Sequence, residues 1–191
     1  VDLTKQTAAV PFKFKHVLSR ANFWAKLDGS VNDSETKVFI KGIKLLGTGA
    51  STPAVANSSS KFYTKATYKW EDGTWDYTAG TKQAAAVDLD GGILNKTTQS
   101  FGSGNVYTTS SVAVTATAAS MFKATQYLFL IPPAANGIAA STDIRILLTY
   151  DVVTLDTKLD GGKSVIEAKS VVSLPNGTLK GGSAYKYVFT I

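Results

Sequence analysis

Few side chains in this chain could carry out chemistry. His16 is the sole histidine. A nucleophile–base–acid triad would have to be built around it, and a metal site with two imidazole ligands is excluded. It stands in Phe14-Lys-His-Val-Leu-Ser-Arg20, which interrupts a strand pattern, and Ser19 and Arg20 complete no nucleophile motif. The expectation is a half-buried, hydrogen-bonded structural ring. The chain has no cysteine, which removes thiol nucleophiles, thiolate metal sites and disulfides. The acidic pairs Asp88/Asp90 and Asp156/Asp160 each adjoin Gly-Gly. They read as turn residues without EF-hand spacing, which leaves a calcium-binding loop as the minor alternative. Glycoside hydrolysis needs two carboxylates across one cleft, and glutamate occurs only at Glu35, Glu71 and Glu167. Gly47-Thr-Gly49 and Gly102-Ser-Gly104 join no strand to a helix, so neither is a phosphate cradle. No catalytic residue, no metal set and no cofactor is expected.

Two aromatic groups are better candidates for binding. Tyr68, Trp70, Trp75 and Tyr77 flank Asp72-Gly73, a two-residue hairpin signal. That turn would set Trp70 opposite Trp75 and Lys69 opposite Asp76, with rings able to stack on sugar faces or to clamp the hairpin. At the other extreme, Tyr185, Tyr187, Phe189 and Ile191 share one face of a strand that runs to the last residue, with Ala184, Lys186, Val188 and Thr190 on the other. Chain ends fray unless something holds them, so this strand must pair either in its own sheet or with a neighbouring molecule.

The elements that would position these groups are strands. Val10, Phe12 and Phe14 alternate with polar residues, and Ala21, Phe23, Ala25 and Leu27 resume the pattern after the break at 16–20. Residues 37–46 follow, with Gly42 as an expected bulge, then a Gly/Ser/Thr-rich loop over 47–60. Further strands are expected at 106–117, 127–131, 143–153, 163–174 and 184–191, with 127–131 buried on both faces. Residues 78–105 are expected to be mostly loop. The reading is an all-β Greek-key β-sandwich of roughly 8–10 mostly antiparallel strands with long loops and little helix, one domain over 1–191.

Composition agrees with that class. The apolar share is 44%, enough for a core, while charged residues are only 18%. The net charge is +6, yet of 20 basic residues only Arg20 and Arg145 are arginines, and no two basic residues of these types are adjacent. Nucleic-acid readers depend on arginine forks and basic tracks, so the lysines read as outward, edge-guarding positions. Nucleic acid is not an expected partner. No apolar run is long enough to form a spanning helix. The chain begins at Val1, so any export signal is expected to lie upstream.

Three segments carry a resemblance. Phe14-Lys-His-Val-Leu-Ser-Arg-Ala-Asn-Phe23, Tyr127-Leu-Phe-Leu-Ile-Pro132 and Leu174–Tyr187 with its Gly before Tyr-x-Tyr resemble, in order, motifs of the fimbrillin-like surface and pilus proteins of Bacteroides-type Gram-negative bacteria. Val17 departs from the family's usual alanine, and the anchoring cysteine is absent. The resemblance implies the C-terminal domain of a two-domain subunit. It implies a non-enzymatic fimbrial subunit or adhesin at the cell surface and outer membrane, assembling by β-strand addition. Expected partners are other pilus subunits or its own N-terminal domain, with a host glycan or protein receptor beyond them. The assembly-strand candidates are Tyr185, Tyr187, Phe189 and Ile191. The alternative is a carbohydrate-binding module using Tyr68, Trp70, Trp75 and Tyr77.

Overall fold

In the computed structural model of the chain, residues 16–32, 34–47, 60–82, 86–88, 113–122, 126–133, 137–138 and 144–191 are described. The expected strand at 10–14, most of the loop at 47–60, Asp90, the 102–104 turn and residues 106–112 lie outside them.

Period-two alternation makes the first strand. In β1 (Ser19–Lys26), Ala21, Phe23 and Ala25 are buried while Arg20, Asn22 and Trp24 face outward. The remaining strands are β2 (Thr36–Leu46), β3 (Tyr63–Lys69), β4 (Thr74–Lys82), β5 (Ala86–Asp88), β6 (Ala119–Ser120), β7 (Leu128–Leu130), β8 (Arg145–Leu155), β9 (Lys163–Ser173) and β10 (Ala184–Thr190). Helical geometry among the described residues is confined to one short 3-10 turn at Asp160–Gly162.

The chain is all-β and mostly antiparallel, with a sandwich-like arrangement. One sheet runs β10–β1–β6, with β7 also on β1. The second runs β5–β2–β8–β9, and β3–β4 form a separate two-stranded ribbon. The inner faces of the two large sheets share one core. Phe23, Ala25 and Phe189 come from the first, Ile43, Leu45, Ile146 and Leu148 from the second. Each of the Phe, Ile and Leu side chains contributes about 1.5–3 kcal/mol on leaving water. Residues 113–115 stitch the layers, since the Val114 N–H donates to Val38 and the Leu27 N–H to the Thr115 carbonyl.

Four expectations need correction. Residues 78–82 and 86–88, expected in a mostly loop stretch, are strand, because the first extend β4 along β3 and the second pair with β2 as β5. Residues 113–117, expected in a strand, pair with no single sheet, because their backbone groups are divided between β2 and the end of β1. The apolar run at 127–131 is not buried on both faces. It yields only β7, and Phe129 is 58% exposed because it sits on the outer face of the first sheet, opposite Arg20. The hairpin turn is longer than expected. Lys69 faces Thr74 and Tyr68 faces Trp75, leaving residues 70–73 in the loop. Asp72 sets this geometry by accepting bonds from the Thr74 N–H and hydroxyl, while the Gly73 N–H donates back to Lys69. The slip is two residues, so faces are preserved. Lys69 still reaches Asp76, now its diagonal neighbour, at 3.2 Å. The bulge at Gly42 forms as expected, with the register shifting between Ile40 and Gly42.

The route from β9 into β10 is a sequence of tight turns. Leu179 is wholly buried at φ 57, a conformation that costs about 1–2 kcal/mol and is offset by its burial. Gly182 lies at φ 74, and a Cβ there would stand 2.7 Å from the His16 carbonyl oxygen. Gly182→Ala is therefore expected to cost about 2–3 kcal/mol in urea unfolding. Gly29→Ala, with nothing within 4 Å of its Cβ, is the control and should shift stability by about 0.5 kcal/mol or less. Equal losses at the two positions would overturn this account of the turn.

Candidate functional site

The first site candidate is the last strand. β10 pairs with β1 in parallel, in register from Arg20↔Ala184 to Lys26↔Thr190. Parallel neighbours need a crossover, and here the chain passes from the second sheet through residues 174–183 to reach β1. Hydrogen bonding continues to the final residue. The Ile191 N–H donates to Lys26 at 3.0 Å, and the Asp28 N–H donates to Ile191 at 2.7 Å. Among the described residues β10 has no second strand partner.

The inward face of β10 holds Tyr185, Tyr187, Phe189 and Ile191, all packed on or within the core of this chain. Phe23 is their common neighbour. Tyr187 stacks on it at 5.4 Å, Phe189 tilts against it at 5.9 Å, and Phe122 meets it edge-on at 5.6 Å. Tyr185 stacks on Tyr187 at 6.1 Å, and its hydroxyl accepts from the Lys180 N–H.

Burial pushes the Tyr187 phenol up to about 12, with Thr178 opposing and Tyr185 adding to the rise. Tyr77 is likewise pushed up to about 12, first by burial and then by Tyr63. A tyrosine with a raised folded value keeps its proton longer in the folded chain than in the unfolded one. Its stabilising contribution is thus intact below the ordinary value of about 10 and is lost as pH rises through about 12. An ultraviolet titration should show a late-ionising tyrosine fraction from Tyr77 and Tyr187, and Tyr187→Phe should reduce it. Absence of any late fraction in a folded chain would contradict this placement.

The hairpin rings form two groups. Tyr68 meets Trp70 at 4.8 Å and Trp75 at 5.2 Å, both edge-on. Tyr77 instead packs on Tyr63 at 4.7 Å and donates its hydroxyl to the Pro132 carbonyl at 2.6 Å, tying the ribbon to the segment after β7. Trp70, at 71% exposure, stands at the tip.

His16 is exposed, not half-buried. Its backbone carbonyl, rather than its ring, meets the Gly182 turn. Asp156 is a turn residue, accepting from the Lys158 N–H. Asp88 lies in β5. Asp151, which the sequence reading did not single out, is buried in β8 and faces Lys41 at 3.3 Å, while Lys41 also donates to Glu167 at 2.8 Å. The Glu167 contact, then Asp151, raises Lys41, and Lys41 followed by Lys169 lowers Glu167. Lys41 is the extra residue of the Gly42 bulge, which is how it reaches two strands. No cluster of His, Cys, Asp and Glu able to hold a metal occurs among the described residues, and no described helix is long and apolar enough to cross a membrane.

Sequence reading also missed the outer face of the first sheet. There Lys186 lies over Trp24 and Arg20 over Tyr127. The alternation of Arg20, Asn22 and Trp24 was legible, but their neighbours come from strands more than a hundred residues away.

The fold thus defines a β-sandwich protein whose first sheet, among the described residues, is bounded by its last strand. No family model matches the chain. It is 34% identical over 188 residues to the fimbrium subunit Fim1C of Phocaeicola vulgatus, covering 95% of this chain and 45% of that protein. It also superimposes with a TM-score of 0.72 and 32% identity on the crystal structure of a fimbrial protein from Bacteroides vulgatus, over 94% of this chain and 51% of the other. The chain is therefore homologous to Bacteroides-type fimbrial subunits, and it spans about half the length of these relatives.

Proposed function

We propose that this chain is a single β-sandwich domain, corresponding to the C-terminal domain, of a non-enzymatic fimbrial subunit displayed at the bacterial surface. It joins neighbouring subunits by β-strand addition. The relative's description as a fimbrium subunit supports the first part. The observation that carries the second is the placement of β10. Among the described residues this strand has one strand neighbour, and it fills the groove beside β1 with Tyr185, Tyr187 and Phe189. An edge strand with alternating large rings is the kind of element that strand addition uses. Backbone bonds give affinity, and side chains in successive pockets give register. Exchange of β10 between copies keeps every one of these contacts while linking two molecules. Export precedes assembly and localises the subunit to the outer membrane, where adhesion is the role of the finished fibre.

A chain ending at Ser183 tests the exchange. It is expected to capture a synthetic peptide of residues 184–191 and to recover cooperative unfolding on doing so. A peptide carrying Tyr187→Asp and Phe189→Asp should bind at least about a hundredfold more weakly, since two buried rings are lost. A truncated chain that stays folded and monomeric and ignores the peptide would refute exchange through this strand.

A further inference from the structure

The face of the first sheet that points away from the core is not a plain solvated surface. Arg20, Asn22 and Trp24 alternate along β1, and Lys186 stands on the same face of β10, directly opposite Asn22. Together with Ser120 and Tyr127 they line a cleft of about 360 Å³. That size lies within the range of small-molecule sites. Its chemistry is one-sided. Among the described residues, both charged side chains in the lining are cations, and no Asp or Glu lines it. The adjoining cleft, which shares Arg20, contains no described acid either.

The two cations are held by aromatic faces, not by carboxylates. The Arg20 guanidinium lies 4.4 Å from the centre of the Tyr127 ring, and the Lys186 ammonium 3.6 Å from that of Trp24. A ring holds a cation in place without neutralising it. A guanidinium over a ring keeps its edge N–H groups free, and those form the fork that receives a carboxylate or sulfate. Between the pairs, the Asn22 amide is fixed by two bonds. Its oxygen accepts from the Ser120 hydroxyl at 3.0 Å, and its nitrogen donates to the Gln126 carbonyl at 3.3 Å. One amide N–H remains for a ligand hydroxyl.

The geometry points to this cleft as a binding site for an anionic saccharide, a sugar ring bearing a carboxylate or a sulfate. Arg20 receives the anion, Lys186 adds the second positive charge, Asn22 bonds a ring hydroxyl, and the Tyr127 and Trp24 rings border the sugar. An acidic peptide is less well matched, because an extended chain binds through its backbone along a strand edge and does not lie across a sheet face. A nucleic acid would need a longer basic track than two residues. The site is independent of strand exchange and assigns the domain a recognition role beyond assembly.

The test is an amide and indole NMR titration of the full 191-residue chain with sialyllactose, sulfated lactose, lactose and a short polyglutamate peptide. The expected result is that at least one anionic sugar shifts Asn22, Lys186 and the Trp24 indole, and binds at least about tenfold more tightly than lactose. Preference for sialyllactose assigns a carboxylate and preference for sulfated lactose a sulfate. Arg20→Gln should reduce that affinity by about tenfold while leaving the rest of the spectrum unchanged. If Arg20→Gln does not fold, Lys186→Gln is the second variant, with loss of the preference over lactose as its readout. Equal binding of lactose, tighter binding of polyglutamate, shifts confined to other faces, or no binding of any sugar would each overturn the proposal.

Discussion

Contact between Phe23 and the last strand is the interaction on which the rest of the structure depends. Phe23 is fully buried at the middle of β1, and three rings from two other parts of the chain close on it. Two of those rings ride on β10, so this strand completes the core rather than decorating it. Removing β10 would uncover a large apolar surface at once. Domains are stable by only about 5–15 kcal/mol, so that loss is comparable with the whole margin. The turns that deliver β10 are correspondingly constrained, with Leu179 and Gly182 both in left-handed conformations. Among the described residues the same geometry gives β10 a strand neighbour on one side only.

The two sheets handle charge in different ways. On the second, Lys41 at the β2 bulge reaches the buried Asp151 and the exposed Glu167 together, so a buried carboxylate is compensated. On the first, Arg20 and Lys186 rest on aromatic rings with no acid among the described residues of their cleft. The excess of lysine over acid is therefore unevenly placed. It leaves one outward face positive and aromatic, a surface suited to recognition rather than to packing alone.

Much of the fold was legible because period-two alternation is a direct signal. Ala21, Phe23 and Ala25, the bulge at Gly42, and the ring face of β10 all follow from it. The misses share a cause. The run at 127–131 is apolar throughout, which by itself cannot distinguish a central strand from a short one on an uncovered face. The hairpin loop was misjudged because the Asp72 side chain, not the Asp-Gly dipeptide alone, fixes its length. The parallel pairing of β10 with β1 was beyond local pattern, because it joins residues about 164 positions apart, as in Arg20↔Ala184. The same distance hid the cleft, which β1 shares with β10 and with the segment before β7.

Hydrogen exchange along β10 tests the central claim most directly. Ile191 donates to Lys26 of β1 and accepts from Asp28 just beyond it, so in a parallel ladder the amides of Tyr185, Tyr187, Phe189 and Ile191 face β1 while those of Lys186, Val188 and Thr190 point away from it. The account predicts alternation in the monomer, with the first set protected at the level of global unfolding and the second set exchanging fast. Rapid exchange of both sets would show that β10 does not hold the core, and would contradict the account.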